Sequence, residues 1–185
     1  PEEGVKSGQR KIAQQTARVR EAAYNQAYDA PIDYSSKAGY AIESVLDRIP
    51  DKIKREAVEK ANALMQLQGK GNNQILLDLD TGKFREMPNV MQLDYIKRSL
   101  GIIAESDVNA KTGAKGIFGQ EYDRIAVELR NAIGDSVPSY LRAVKLGGDK
   151  IQRDEALDLG RRLLWASTKA EDVEAFMASG VSKEA

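Results

Sequence analysis

The sequence predicts a mainly α-helical fold, a multi-helix bundle of consecutive helical hairpins carrying one small β-hairpin at about residues 74–87. Three observations predict it. Apolar residues recur at three- and four-residue spacing along most of the chain, as in Leu93, Ile96, Leu100 and Ile103, the mark of a helix with one buried face. Proline and glycine fall between the periodic stretches, at Pro31, Pro50, Pro88, Pro138 and Gly147-Gly148, where they end one helix or open the next. A single stretch, Gln74 to Met87, changes to the short apolar runs and central turn of a hairpin.

Taken in order, residues 1–7 read as a frayed tail, and Gln9 to about Asp29 as a helix rich in Ala, Gln, Arg and Glu. Its apolar stripe is thin (Ile12, Thr16, Val19, Ala23, Ala27), which places it at the periphery or against a partner. Ala30-Pro31 stops it, because the residue before proline avoids the helical region. A second helix follows the cap candidates Asp33, Ser35 and Ser36 and buries Ile42, Val45, Leu46 and Ile49. Pro50 breaks it, and Asp51 opens a third, with Ile53, Ala57, Ala61, Leu64 and Met65, ending near Gly69-Lys70-Gly71.

Within the hairpin stretch, Ile75 to Leu79 reads as a strand, Asp80-Thr81-Gly82 as a turn, and Lys83 to Met87 as a return strand. Asn89 with Gln92 has capping-box spacing and starts the clearest helix of the chain. Residues 105–119 form a loop with Gly113, Gly116 and Gly119. Tyr122, Ile125, Ala126, Leu129 and Ile133 give the next helix, closed at Gly134. Ser136 caps a short one with Pro138 in its first turn and Tyr140, Leu141 and Val144 inside. Asp149 opens a helix through Leu164, and Thr168 with Glu171 caps a last one bearing Val173, Phe176 and Met177. The total is about seven or eight helices. Residues 40–65 and 122–145 echo each other as helix, proline break, helix, which reads as two helical hairpins and not a repeat. We divide the chain into an N-terminal helical segment (1–70), the β-hairpin (71–88) and a C-terminal helical bundle (89–185), folded together as one unit. A start at Pro1 and an abrupt end at Gly180 to Ala185 suggest a fragment of a longer chain.

Composition narrows the chemistry. With 28 Lys plus Arg against 28 Asp plus Glu, no overall field recruits nucleic acid or anionic lipid. The chain has no cysteine and no histidine, which excludes thiol catalysis, disulfides, His or Cys metal and haem ligation, and Ser-His-Asp machinery. No apolar run approaches the roughly 20 residues needed to cross a bilayer.

Two loops resemble sites at first sight. Asp78-Leu79-Asp80-Thr81-Gly82 starts like a calcium loop, but its glycine comes one residue early and the twelfth position is Asn89 instead of glutamate, so a hairpin turn is the better reading. Gly113 to Gly119 has glycines and Lys115 but lacks the Gly-Lys-Ser/Thr end of a phosphate loop, which leaves a helix connection with Lys111 and Lys115 as candidate phosphate contacts. Paired acids (Glu2-Glu3, Asp154-Glu155, Glu171-Asp172) sit in tails and first helical turns and suit the helix dipole. Lys97, Arg98, Arg142, Lys145 and Arg161-Arg162 read first as solvated helix rims; Lys97, Arg98 and Arg142, with Lys111 and Lys115, are the candidate nucleic-acid contacts. Trp165 reads as a core or interface anchor. We assign no catalytic, cofactor or metal residue.

One order of words carries a resemblance. Val90-Met91-Gln92-Leu93-Asp94-Tyr95-Ile96-Lys97-Arg98-Ser99-Leu100 precedes the Gly/Lys loop; Tyr122 to Ile133, Val137-Pro138-Ser139-Tyr140, Ala143 and Ala156-Leu157-Asp158-Leu159-Gly160-Arg161 follow. With Ala27-Tyr28-Asp29 and Pro31-Ile32 upstream, this resembles a helical segment of large tailed-phage and prophage virion-associated proteins, over roughly residues 24–178. The resemblance implies an internal or DNA-ejection component, located in the virion or the bacterial host cytoplasm, with other protein chains as partners, homo-oligomeric or of the virion. It brings no catalytic residue and no cofactor. The expected role is a non-enzymatic structural and interaction module, with Leu93, Ile96, Leu100 and Ile103 as a candidate interaction seam. The alternatives are a helical peptidoglycan-hydrolase-type domain working through carboxylates, and a nucleic-acid-binding helical module.

Overall fold

The computed structural model describes residues 2–147, in which six α-helices and one short 3-10 turn follow one another. They are α1 (Glu2–Tyr28), α2 (Lys37–Asp47), α3 (Asp51–Leu67), the 3-10 turn Gly71–Asn73, α4 (Val90–Ser106), α5 (Ile117–Ser136) and α6 (Pro138–Gly147). Local chemistry sets several of the boundaries. Ser36 caps α2 by accepting from the Gly39 amide at 3.0 Å. Asn89 and Gln92 close a reciprocal capping box on α4, each side chain accepting from the other's backbone N–H at 2.9 Å. Pro50 precedes α3 and Pro138 opens α6, where a missing N–H costs nothing. Gly39 is required by proximity: a Cβ there would lie 2.2 Å from the Asp33 carbonyl oxygen.

The helix α4 is the centre of the bundle. It packs on α3 and α5; α2 covers α5, and α6 lies between α5 and α1. Ten of its seventeen residues are buried, against four of eleven in α2. One apolar cluster runs from Tyr24 through Ile42, Leu64, Leu93 and Ile133 to Val144, so the described parts of the N- and C-terminal segments share a single core. The two helix–proline–helix stretches are the pairs α2–α3 and α5–α6.

The expected β-hairpin at 74–87 does not form. Among the described residues the segment holds one antiparallel bridge, Leu77 with Phe84, and no strand. The reason lies in where its backbone groups find partners. Asn62 of α3 holds Ile75 from both sides, accepting from its N–H at 2.7 Å and donating to its carbonyl at 3.0 Å. Gln92 donates to the Asn73 carbonyl at 3.0 Å, and Arg55 to that of Leu79 at 2.6 Å. Helix side chains thus supply what a second strand would otherwise have to supply. Other boundaries also differ. The helix α1 begins at Glu2, taking in the stretch read as a tail, and α5 runs through Gly134 to Ser136. The helices expected from Asp149 and Thr168, together with Arg161, Arg162 and Trp165, lie outside the described residues.

The central position of α4 makes its seam the most sensitive part of the bundle. Leu100 is fully buried, and Leu100→Ala is expected to cost about 2–5 kcal/mol in urea unfolding, through lost transfer energy and the cavity left behind.

Candidate functional site

The middle turn of α4 carries a carboxylate into the core. Asp94 is fully buried and is surrounded by donors from three helices. Its Oδ1 accepts from the Tyr140 hydroxyl at 2.7 Å and meets the Lys97 ammonium at 2.9 Å. Its Oδ2 accepts from the Tyr28 hydroxyl at 2.7 Å and meets Arg98 Nη2 at 2.7 Å. The cations also contact the tyrosines, Lys97 donating to Tyr140 at 3.0 Å and Arg98 to Tyr28 at 3.1 Å. Each carboxylate oxygen therefore has one cation and one hydroxyl, the arrangement a buried charge needs.

Aromatic rings enclose this centre. The Arg98 guanidinium lies 4.8 Å from the Tyr95 ring centre and 5.9 Å from that of Tyr24. Tyr24 meets Tyr28 in a tilted pair at 5.7 Å and Tyr140 edge-on at 6.3 Å. A cation over such faces is attracted by the ring quadrupole, more strongly where water is excluded.

The electrostatics follow from the geometry. Burial alone would raise the Asp94 carboxyl; Arg98 and Lys97, with the hydroxyls of Tyr28 and Tyr140, outweigh it and hold the group well below the usual carboxylate range. Burial and the Asp94 charge push the hydroxyls of Tyr28 and Tyr140 well above the ordinary tyrosine value. Burial lowers Lys97, partly offset by Asp94. For Arg98 burial is the largest single effect and lowers the value, but Asp94 together with Tyr28, Tyr95 and Tyr24 outweighs it, and the net shift is upward. Asp94 is thus a fixed anion, which makes it a positioning group and a poor general acid.

The residues singled out by sequence fall in separate places. Leu93, Ile96, Leu100 and Ile103 are all buried in this chain's own core. As an interaction seam between chains they are therefore unavailable, because α3 and α5 already cover α4. Lys97 and Arg98 turn inward to Asp94, with side chains only 11% and 12% exposed, and are not the solvated rim expected of them. Lys115 is paired with Glu105 and Asp123. Lys111 and Arg142 are exposed. The five candidate cations do not form one surface.

The two rejected loop motifs prove to be one turn used twice. Asp78 and Asn109 each accept at Oδ1 from the amides two and three residues on, at 2.9–3.0 Å and 2.9–3.2 Å. Thr81 and Thr112 each accept from the amide two residues on at 3.3 Å. Gly82 and Gly113 each take φ near +68°, which only glycine adopts readily. The same bridge closes both, Leu77 to Phe84 and Val108 to Lys115. Asp78 and Asn109 are therefore spent on their own backbones, as in Asx turns.

Sequence reasoning missed Asp94, Tyr28 and Tyr140 as a unit. One local signal was present: an acid three and four residues before two cations, on a seam otherwise apolar. The tyrosines, 66 and 46 positions away, gave none.

Among the described residues, a bundle of six α-helices around a buried charged centre is the class that fold and site define. Comparison with known proteins finds no matching family model, no matching curated relative and no matching solved structure.

Two outcomes are expected of the Asp94 centre. Asp94→Asn strands two buried cations and should cost about 3–5 kcal/mol by chemical denaturation. The pH dependence has two edges. A lowered carboxyl contributes stability that is complete above its ordinary value of 3.8 and is lost as pH falls below it; raised tyrosines contribute stability that is complete below their ordinary value of 10.0 and is lost as pH rises beyond it. Denaturation midpoints measured across pH should fall at both ends, and the acid edge should be much shallower in Asp94→Asn.

Proposed function

We propose that the chain is a non-enzymatic structural and interaction module of a phage or prophage particle protein, an internal or ejected virion component acting through contact with other protein chains. The resemblance running from Val90-Met91-Gln92 to Leu159-Gly160-Arg161 supports the particle context, and with it a location in the virion or the bacterial host cytoplasm. The observation that carries the interaction role is α1. Its last turns, at Tyr24 and Ala27, are held in the core, while from Gly4 to Gln15 nearly every side chain is exposed.

On that free stretch Val5, Ile12 and Val19 recur every seven residues and are 61%, 67% and 52% exposed. A seven-residue repeat on a free helix suits pairing with a second helix. We take the partner to be a second copy of α1 in parallel. The residues flanking the stripe would then oppose Lys11 to Thr16 and Arg18 to Ala23, so no like charges meet. The intervening Gly8, Gln15 and Ala22 are small or uncharged and permit close approach. The hydrolase alternative would need a carboxyl able to carry a proton, and the buried carboxylate is held ionised. The nucleic-acid alternative loses Lys97 and Arg98 from any exposed surface that could follow a nucleic-acid backbone, because both side chains turn inward.

Size-exclusion chromatography with light scattering tests the reading. The wild-type chain should show a concentration-dependent dimer, and Ile12→Glu should shift it to monomer with an unchanged melting temperature, since Ile12 lies outside the core. A wild type that stays monomeric at every concentration removes self-pairing through α1. Detection of peptides of this sequence in purified particles by mass spectrometry tests the particle assignment.

A further inference from the structure

Next to the Asp94 centre, between the end of α1, the end of α3 and α4, lies a pocket of about 330 Å³. Its walls include Tyr24, Tyr28, Gln68, Lys70, Tyr95 and Arg98. Three features set it apart from an ordinary surface cleft. The first is charge. Lys70, Lys97 and Arg98 gather around one buried carboxylate, and Asp94 is already engaged with the latter two. Among the described residues Lys70 has no ion pair; its ammonium rests over the rings of Tyr28 at 5.0 Å and Tyr95 at 5.9 Å. Burial and the neighbouring Arg98 charge lower its pKa, and Asp94 and Glu21 only partly offset them.

The second feature is an unmet donor. Arg98 Nε is buried and has no hydrogen-bond partner among the described residues, although Nη2 of the same side chain is fully engaged. Leaving a charged donor dry and unpaired costs free energy comparable to a lost hydrogen bond or more. The third is fixed polar groups. The Tyr95 hydroxyl donates to Gln68 Oε1, which orients that amide and leaves its NH2 as a donor. Aromatic walls, two cations and a held amide are the composition of a site that takes an anion from water.

We propose that this pocket is a binding site for a tetrahedral oxyanion, a phosphate group either free or carried on a small organic ester, with Lys70 and Arg98 as its charged contacts. The site is independent of the α1 pairing argued above. It assigns Lys70 a role that the bundle does not use, because that ammonium enters no hydrogen bond or ion pair within the described fold.

Isothermal titration calorimetry of the full chain at neutral pH and low salt, with sodium phosphate and with phenyl phosphate as probes, tests it. Saturable binding of at least one probe is expected, weakened about tenfold or more in Lys70→Gln and unchanged in Lys52→Gln, an exposed cation of α3 outside the pocket. Tighter binding of phenyl phosphate would assign the site to an organic ester; equal binding would assign it to the free ion. The wild-type melting temperature should also rise with the bound probe, a readout that needs no variant. Absence of saturable binding by both probes at millimolar concentration overturns the proposal, as does equal binding by wild type and Lys70→Gln.

Discussion

The bundle is organised around a carboxylate that cannot reach water. Apolar packing is non-directional and would tolerate small rotations of α1 and α6 over α4. The Asp94 carboxylate does not tolerate them. Its two oxygens take one hydroxyl from α1 and one from α6, and its own helix supplies both cations. Tyr28 ends α1 and Tyr140 lies in the first turn of α6, so two elements joined to α4 only through long stretches of chain are set in register by a single side chain. A helix of ten residues such as α6 is too short to hold itself in water, and here it is fixed both by Tyr140 and by the apolar cluster.

What sequence reveals about such a bundle depends on the range of the interaction. The Ser36 cap, the Asn89–Gln92 box and the proline breaks at 50 and 138 are local, and reading three or four neighbouring residues is enough to find them. The hairpin reading failed over a longer range. Ile75 to Leu79 has strand-like composition, but Asn62, thirteen residues earlier on α3, takes up both backbone groups of Ile75. The same limit explains Lys97 and Arg98. Their position beside an apolar seam suggests a wet rim, and only the arrival of Tyr28 and Tyr140 shows that the seam continues over them. The twin turns lie between these extremes: the Asp/Asn-to-Gly spacing is visible locally, yet its use as backbone wiring instead of ligation appears only from the hydrogen bonds.

Buried charge and exposed helix meet in α1. Starting an isolated helix in water is costly, because its first turn must be fixed before any hydrogen bond rewards it. In this chain Tyr24, Ala27 and Tyr28 supply that first turn from the C-terminal end, already immobilised against α4 and α6. The remaining turns then propagate outward one residue at a time, as a cantilever grows from its clamp. Rigidity at the free end is therefore borrowed from a hydrogen bond to a buried carboxylate at the opposite end of the same helix, and whatever loosens the grip of Asp94 on Tyr28 shortens the arm before it disturbs the rest of the bundle.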